Sequence, residues 1–413
     1  MLLIVIDTFR ADHMGCYGYP RNTTPHLDSL ADEGIVYSRM QSQSSWTLPA
    51  VASILTGLPP RLHMAGKRND IYYGLDPELP YLPRTMSQHG YRTAAFLNVV
   101  YLNSGFGFHQ GFEHFDCEGL VKDLGIRKAG ETVDDCLEWM DTLKDGDRFF
   151  ILMHLYDPHL PYDPPPPYDT LFTSPAYQGE YDSDWGSSGQ LVAVNIGEVV
   201  PEEEDVINLI NLYDGELAYT DTQAARLLSE LRKRGYGGNT LVMVTADHGE
   251  EFFDHGGMEH GHTLYQELLN VPLVVSGPGI SRDEVSELPV CQLDVLPMVH
   301  NACGFQLPDP VEDYQGRPPP RNRFVPSSGL LWSVEPMAGG VLNSLKVIWL
   351  AESDTALCFD LSSDPYEQSP IEVNQQLLQR VMDYWALPPR GEPRPIEYEE
   401  TIDPILEDLG YVR

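Results

Sequence analysis

Short apolar runs alternate along this chain with stretches in which apolar positions return every three or four residues. The first kind predicts buried β-strands at Leu2–Ile6, Thr93–Leu97, Phe149–His154, Leu241–Thr245 and Leu273–Ser276. The second predicts helices over Pro25–Glu33, Pro49–Leu55, Thr132–Leu143, Asp205–Arg234 and Leu293–Ala302. Strands that alternate with helices and read apolar on both faces belong to a mostly parallel sheet covered on both sides, an α/β architecture. The proline-rich run from Asp157 to Tyr168 and the Gly/Ser/Asp segment Ser174–Gly197 predict a long irregular surface excursion. Around Pro310–Arg323 the chain turns rich in Pro and Arg, a linker composition. A hairpin over Val341–Leu361 and a helix over Val373–Tyr384 are expected beyond it. The expected division is a catalytic domain over residues 1–310 and a small C-terminal subdomain over residues 311–413.

A chain of 413 residues with 42% apolar content can bury a large core. Its formal net charge of −36 disfavours nucleic acid and anionic membrane surfaces as partners, because both require a basic footprint. No apolar run is long enough to span a bilayer. The start MLLIVID lacks the basic segment and cleavage site of a signal peptide, so a cytoplasmic protein, or one trimmed of a leader, is expected. The cysteines Cys16, Cys117, Cys136, Cys291, Cys303 and Cys358 are scattered without metal spacing and are expected as reduced thiols.

Candidate chemistry gathers where strands end, the usual location of sites in doubly wound sheets. Leu2–Ile6 runs into Asp7, and Leu241–Thr245 runs toward Asp247 and His248. Two carboxylates and an imidazole at one sheet edge can converge on a cation, although a carboxylate there can equally cap a helix. Thr47 stands two residues before Pro49, which can open a helix. A hydroxyl at that point faces unpaired backbone N–H groups and the positive end of the helix dipole. On its own, Thr47 is equally well read as a helix cap or as a nucleophile.

The blocks VIDTFRADHMGCYGY, WTLPAVASILTG, HLYDPHLPY, VTADHGEEFFDHGG and HTLYQELLNVPLVV follow one another in an order that resembles the sulfatase family of the alkaline phosphatase superfamily. The LCFDLSSDPYEQ stretch near the C-terminus resembles the terminal signature of that family, so the likeness covers nearly the whole chain. It implies an alkaline-phosphatase-like three-layer sandwich with a small C-terminal α+β subdomain. By position, Asp7, Thr47, Asp247 and His248 match the family's metal sphere, with Thr47 as nucleophile. The ligand set implies one divalent cation, Mn²⁺ or Zn²⁺ in preference to Ca²⁺ or Mg²⁺, and the remaining histidines leave room for a second. His159, His260 and His262 are candidate proton donors. Arg10, Asn98, His154 and Asp157 are candidate substrate contacts, with an ion pair to Asp12 as the alternative for Arg10. Glu250, Glu251 and Asp254 are expected to form a solvated acidic turn, and Glu216 carries no assignment.

Departures from the family pattern narrow the chemistry. A sulfatase oxidises Cys or Ser to formylglycine, and Thr47 cannot yield that aldehyde, so no formylglycine is expected. The motif's arginine is Val51, the sulfate-facing lysine and histidine are Asn98 and Val100, and the second aspartate is Thr8. The favoured expectation is a hydrolase that cleaves a small anionic phosphodiester, phosphonate or related ester through a covalent intermediate on Thr47. The alternatives are a sulfuric ester hydrolase working without formylglycine and a catalytically impaired, ligand-binding family member. All three require Asp7, Thr47, Asp247 and His248 to meet at one point. A structure with Asp7 and Asp247 on opposite sheet edges removes the site.

Overall fold

The computed structural model describes residues 1–69, 71–117, 127–308, 322–332, 335–392 and 394–396. Its central sheet contains eight strands: β1 (Leu2–Ile6), β2 (Gly34–Tyr37), β3 (Arg92–Phe96), β4 (His114–Asp116), β5 (Phe149–Leu155), β6 (Val242–Ala246), β7 (Leu273–Ser276) and β8 (Glu284–Ser286). Their order is β8-β2-β7-β6-β1-β5-β3-β4, and among them β7 alone runs against both neighbours. All residues of β1 are buried, because parallel neighbours flank it and side chains cover both faces. The expected strands lie within one residue of the observed ones. Helices α1 (Pro25–Asp32), α2 (Thr47–Thr56), α3 (Ala129–Met140), α4 (Ser188–Asn195), α5 (Glu203–Lys233) and α6 (Val295–Cys303) pack around the sheet.

Three expectations need correction. The excursion expected to be irregular contains α4, because Ser187 and Gln190 form a capping box. Leu191 and Val194, one helical turn apart, anchor it inward. The Asn195 side chain also bonds both the N–H and the carbonyl of Met258. The helix opening at Thr47 begins two residues before Pro49, which puts the hydroxyl in the first turn. Near the C-terminus, the expected hairpin is part of a four-stranded antiparallel sheet: β9 (Phe324–Ser328), β10 (Met337–Leu342), β11 (Leu345–Leu350) and β12 (Thr355–Asp360). Helix α7 (Gln375–Trp385) covers it, with Leu377 and Val381 facing Val347 and Cys358. The expected boundary at residues 310/311 and most of the linker lie outside the described residues. All six cysteines are thiols.

Polar contacts lock the C-terminal sheet to the catalytic body. Glu367, just after β12, accepts from the Gln266 amide at 2.6 Å and pairs with the buried Lys346 ammonium at 3.0 Å. His255 donates to Glu267 at 2.7 Å and to the Glu367 carbonyl at 3.1 Å, its ring stacked 3.6 Å from Tyr265. Burial alone would lower the His255 pKa, but the Glu267 carboxylate and the Glu367 carbonyl outweigh it and push it up to about 9. A raised histidine pKa stabilises the fold fully below its unfolded value of 6.5, and that contribution is lost as pH rises through about 9. His255→Gln is therefore expected to lower Tm clearly at pH 6 and little at pH 10, as thermal melts at the two pH values will show.

Candidate active site

Parallel register explains how residues 240 positions apart meet. Ile6 of β1 lies opposite Ala246 of β6 and Leu155 of β5, so Asp7 and Asp247 leave the same edge of adjacent strands. The Asp7 amide still donates to the Leu155 carbonyl at 2.9 Å. Gly249 follows at the point of closest approach: a Cβ there would sit 1.9 Å from the Glu267 carbonyl oxygen, so no larger residue fits. Behind Asp247, Ser42 donates its hydroxyl to the Asp247 carbonyl at 2.6 Å, and Gln292 bonds the same oxygen.

Helix α2 delivers Thr47 from the other side, its first turn aimed at this edge. Thr47 Oγ1 lies 3.2 Å from His248 Nε2. The same nitrogen stands 3.4 Å from Asp7 Oδ1 and 3.5 Å from Asp247 Oδ2. The His248 Nδ1–H donates to the Gly249 carbonyl at 2.9 Å, which sets the tautomer that turns an Nε2 lone pair toward the carboxylates. The four residues grouped from the sequence thus surround one point, and all are buried.

Electrostatics at this point favour a cation. Both Asp7 oxygens are buried with no hydrogen-bond partner among the described residues. Burial, and then Asp247 and Glu250, push the Asp7 carboxyl well above the usual carboxylate range. Burial also works to raise Asp247, but His248 and His154 beside it hold it at about 2. Burial lowers His248, keeping its imidazole neutral. A buried carboxylate pair beside a neutral imidazole and a hydroxyl is a donor set suited to a divalent ion.

The remaining candidates divide. His154 was expected at the substrate but lies at the carboxylate pair, its Nε2 3.5 Å from Asp247 Oδ2 and 3.9 Å from Asp7 Oδ2. Asn98 is a scaffold: its amide donates to the Arg127 carbonyl at 3.0 Å, and its oxygen faces His154 Nδ1 at 3.5 Å. Asp157 accepts from the Ala129 amide at 2.7 Å, at the start of α3, and pairs with Lys128 at 3.6 Å. Lys128 also meets Glu216, whose buried carboxylate accepts from the Asp163 amide and so ties α5 to the excursion. All five guanidinium N–H groups of Arg10 are committed, to Asp12, to Asp254 and to the Glu250 carbonyl. Thr8, which replaces the family's second aspartate, bonds its hydroxyl to the Pro158 carbonyl.

His159 and His260 lie side by side, ring centroids 4.9 Å apart, and His260 is 4.3 Å from His248. Glu250 and Glu251 of the acidic turn expected in solvent are buried instead, with Asp254 partly exposed, because Glu251 and Phe252 fold back to pair with Glu259 and Met258. Glu250 accepts from Tyr162 at 3.0 Å and holds His260 Nδ1 at 3.1 Å. Glu251 holds His262 Nε2 at 2.7 Å. Sequence reasoning missed Glu250 and Glu259; only the chain reversal that buries them marks them out.

The sulfatase family model matches residues 1–305. An arylsulfatase of Clostridium perfringens is 24% identical over 93% of this chain and 92% of its own length. Arylsulfatase K of Bos taurus is 23% identical over 90% of this chain and 78% of its own. A structure solved in complex with its substrate D-glucosamine-2-N,6-O-disulfate superposes with a TM-score of 0.73 at 18% identity, covering 93% of this chain and 96% of that one. The phosphonate monoester hydrolase of Agrobacterium radiobacter superposes at 0.69 and 18% identity over 93% of each chain. The fold is the α/β sandwich of these sulfated-sugar-bound and phosphonate monoester hydrolase structures, with a small β-rich C-terminal part. The chain belongs to the sulfatase family and is an ester-hydrolysing enzyme.

If a divalent ion relieves the Asp7–Asp247 repulsion, chelator-treated Asp7→Asn protein is expected to melt at or above the wild-type temperature. Mn²⁺ or Zn²⁺ should then raise the wild-type Tm more than that of Asp7→Asn; saturation of one site at a hundredfold over Kd corresponds to about 2.7 kcal/mol. Differential scanning fluorimetry with and without metal reads both effects.

Proposed function

We propose that the protein hydrolyses a phosphodiester or phosphonate monoester with Thr47 as nucleophile, assisted by a divalent cation at Asp7, Thr47, Asp247 and His248, with His154 beside them. The observation that carries this reading is the Thr47 hydroxyl at the N-terminus of α2, 3.2 Å from His248 Nε2 and facing two buried carboxylates. Bound there, the ion would lower the pKa of the Thr47 hydroxyl and offset charge on the substrate's oxygens. Mn²⁺ and Zn²⁺ suit the imidazole better than Ca²⁺ or Mg²⁺.

Thr47 Oγ attacks phosphorus, the bond to the leaving oxygen breaks, and the leaving group takes a proton. Water then cleaves the phosphothreonine and regenerates the hydroxyl. Of the three histidines proposed as proton donors, burial lowers His159 to about 3, and burial together with His248 and His159 lowers His260 well below its ordinary value. Neither imidazole then carries a proton to give near neutral pH. His262 is half-buried and anchored through Nε2 to Glu251, and its Nδ1 has no partner among the described residues; it is the assigned acid. Its replacement by Gln should slow poor alkyl leaving groups far more than nitrophenolate.

Substrate class follows from the positions that depart from the family. Val51 and Val100 lie in the main apolar core, and the Asn98 amide is bonded to backbone, so none of the three brings positive charge to the site. Arg10 and Lys128 are bound to carboxylates. A sulfate ester benefits from fixed donors aimed at its leaving oxygen, whereas the second ester arm of a phosphodiester benefits from apolar surface. The expected order of kcat/KM on matched nitrophenyl esters is phosphodiester or phosphonate above sulfate, and a clear sulfate preference would return the protein to sulfuric ester hydrolysis. Thr47→Ala should abolish turnover with the fold intact, and Thr47→Ser should retain part of it. Near wild-type rates in Thr47→Ala would make Thr47 a helix cap.

A further inference from the structure

We infer that His159, Glu259 and His260 hold a second divalent cation next to the Asp7–Asp247 centre. One ligand atom from each of the three lies within 4.8 Å of the others, and all three residues are buried. Two imidazoles and a carboxylate form a set that binds Zn²⁺ or Mn²⁺ in preference to Ca²⁺ or Mg²⁺.

Each imidazole is held in the orientation a ligand needs. The His159 Nδ1–H donates to the Leu160 carbonyl at 2.7 Å, and His260 Nδ1 is held by Glu250 at 3.1 Å. An outer oxygen on Nδ1 fixes the tautomer and presents Nε2 as the ligating nitrogen. Glu250 is itself steadied by the Tyr162 hydroxyl, so the support extends one layer further out. Glu259 supplies the second, independent observation. Glu259 is 2% exposed, and its Oε2 has no hydrogen-bond partner among the described residues. Leaving such an oxygen unsatisfied carries the full penalty of its lost hydration, so a structure that keeps it needs a use for it.

Charge balance points the same way. Asp7, Asp247, Glu250 and Glu259 are all buried around this edge of the sheet. Arg10 is already matched by Asp12 and Asp254. One divalent ion neutralises Asp7 and Asp247; a second one beside Glu259 would let the buried Glu250 and Glu259 carboxyls be accommodated in ionised form. The ring of His260 lies between the two groups, 4.3 Å from His248 and 4.9 Å from His159, so one substrate anion could reach both. A second ion would supply the positive charge that Asn98 and Val100 cannot. That use rests on the ester-cleaving reading of the first centre, whereas the site itself does not.

The test is metal stoichiometry on the full chain, stripped with chelator, reloaded with Zn²⁺ or Mn²⁺, and measured by elemental mass spectrometry and titration calorimetry. Two ions per chain are expected for the wild type and one for Glu259→Gln, a near-isosteric change. One is also expected for His159→Gln, and one for Asp247→Asn, which empties the other centre. A wild-type count of one, or two ions retained by Glu259→Gln with native circular dichroism, overturns the proposal without touching the Thr47 reading. Two ions in a chain that cleaves none of the esters would uphold this site and overturn the proposed function instead.

Discussion

The structure depends on placing buried carboxylates at the carboxyl edge of adjacent parallel strands. Asp7 and Asp247 leave β1 and β6 from opposed positions, and strand pairing does not let them separate. Two like charges in a medium of low dielectric repel strongly, so the neighbourhood is arranged around that cost. His248 and His154 turn their Nε2 atoms toward the pair, Thr47 brings the N-terminus of α2, and Ser42 and Gln292 hold the backbone behind Asp247.

Around this centre the imidazoles follow one rule. His248 and His159 each engage Nδ1 with a neighbouring backbone carbonyl, and His260 engages it with Glu250. Tautomer and ring orientation are therefore set by outer contacts, and burial keeps the rings neutral. Neutral, oriented imidazoles suit coordination better than proton donation. His262 differs, being nearer solvent and held through Nε2 rather than Nδ1. That difference separates candidate ligands from the candidate acid among residues that look alike in sequence.

Positive side chains are used as structure. Arg10 braces the turn after β6, Lys128 joins α3 to α5 through Asp157 and Glu216, and Lys346 fastens the C-terminal sheet through Glu367. A chain with 26 basic and 62 acidic residues has few cations to spare. Under the proposed reading, substrate charge would fall to a bound metal, the helix dipole and hydrogen-bond donors rather than to lysine and arginine.

The strands, most helices and the grouping of Asp7, Thr47, Asp247 and His248 were readable in the sequence. Apolar runs and helical periodicity are local signals, and strand-end carboxylates become meaningful once a parallel sheet is assumed. The family blocks pointed to Thr47 as the proposed nucleophile because their order survives at low identity. Tertiary structure alone decided the rest. Glu250 and Glu251 look like surface acids and are buried only because Glu251 and Phe252 pair back onto Met258 and Glu259. Arg10 and Asp157 resemble anion contacts, but their partners lie up to 244 residues away or at the start of another helix. His154 moved from substrate to carboxylates because β5 lies directly beside β1. Each turned on which distant groups the packed chain sets beside a side chain, and neither composition nor spacing records that.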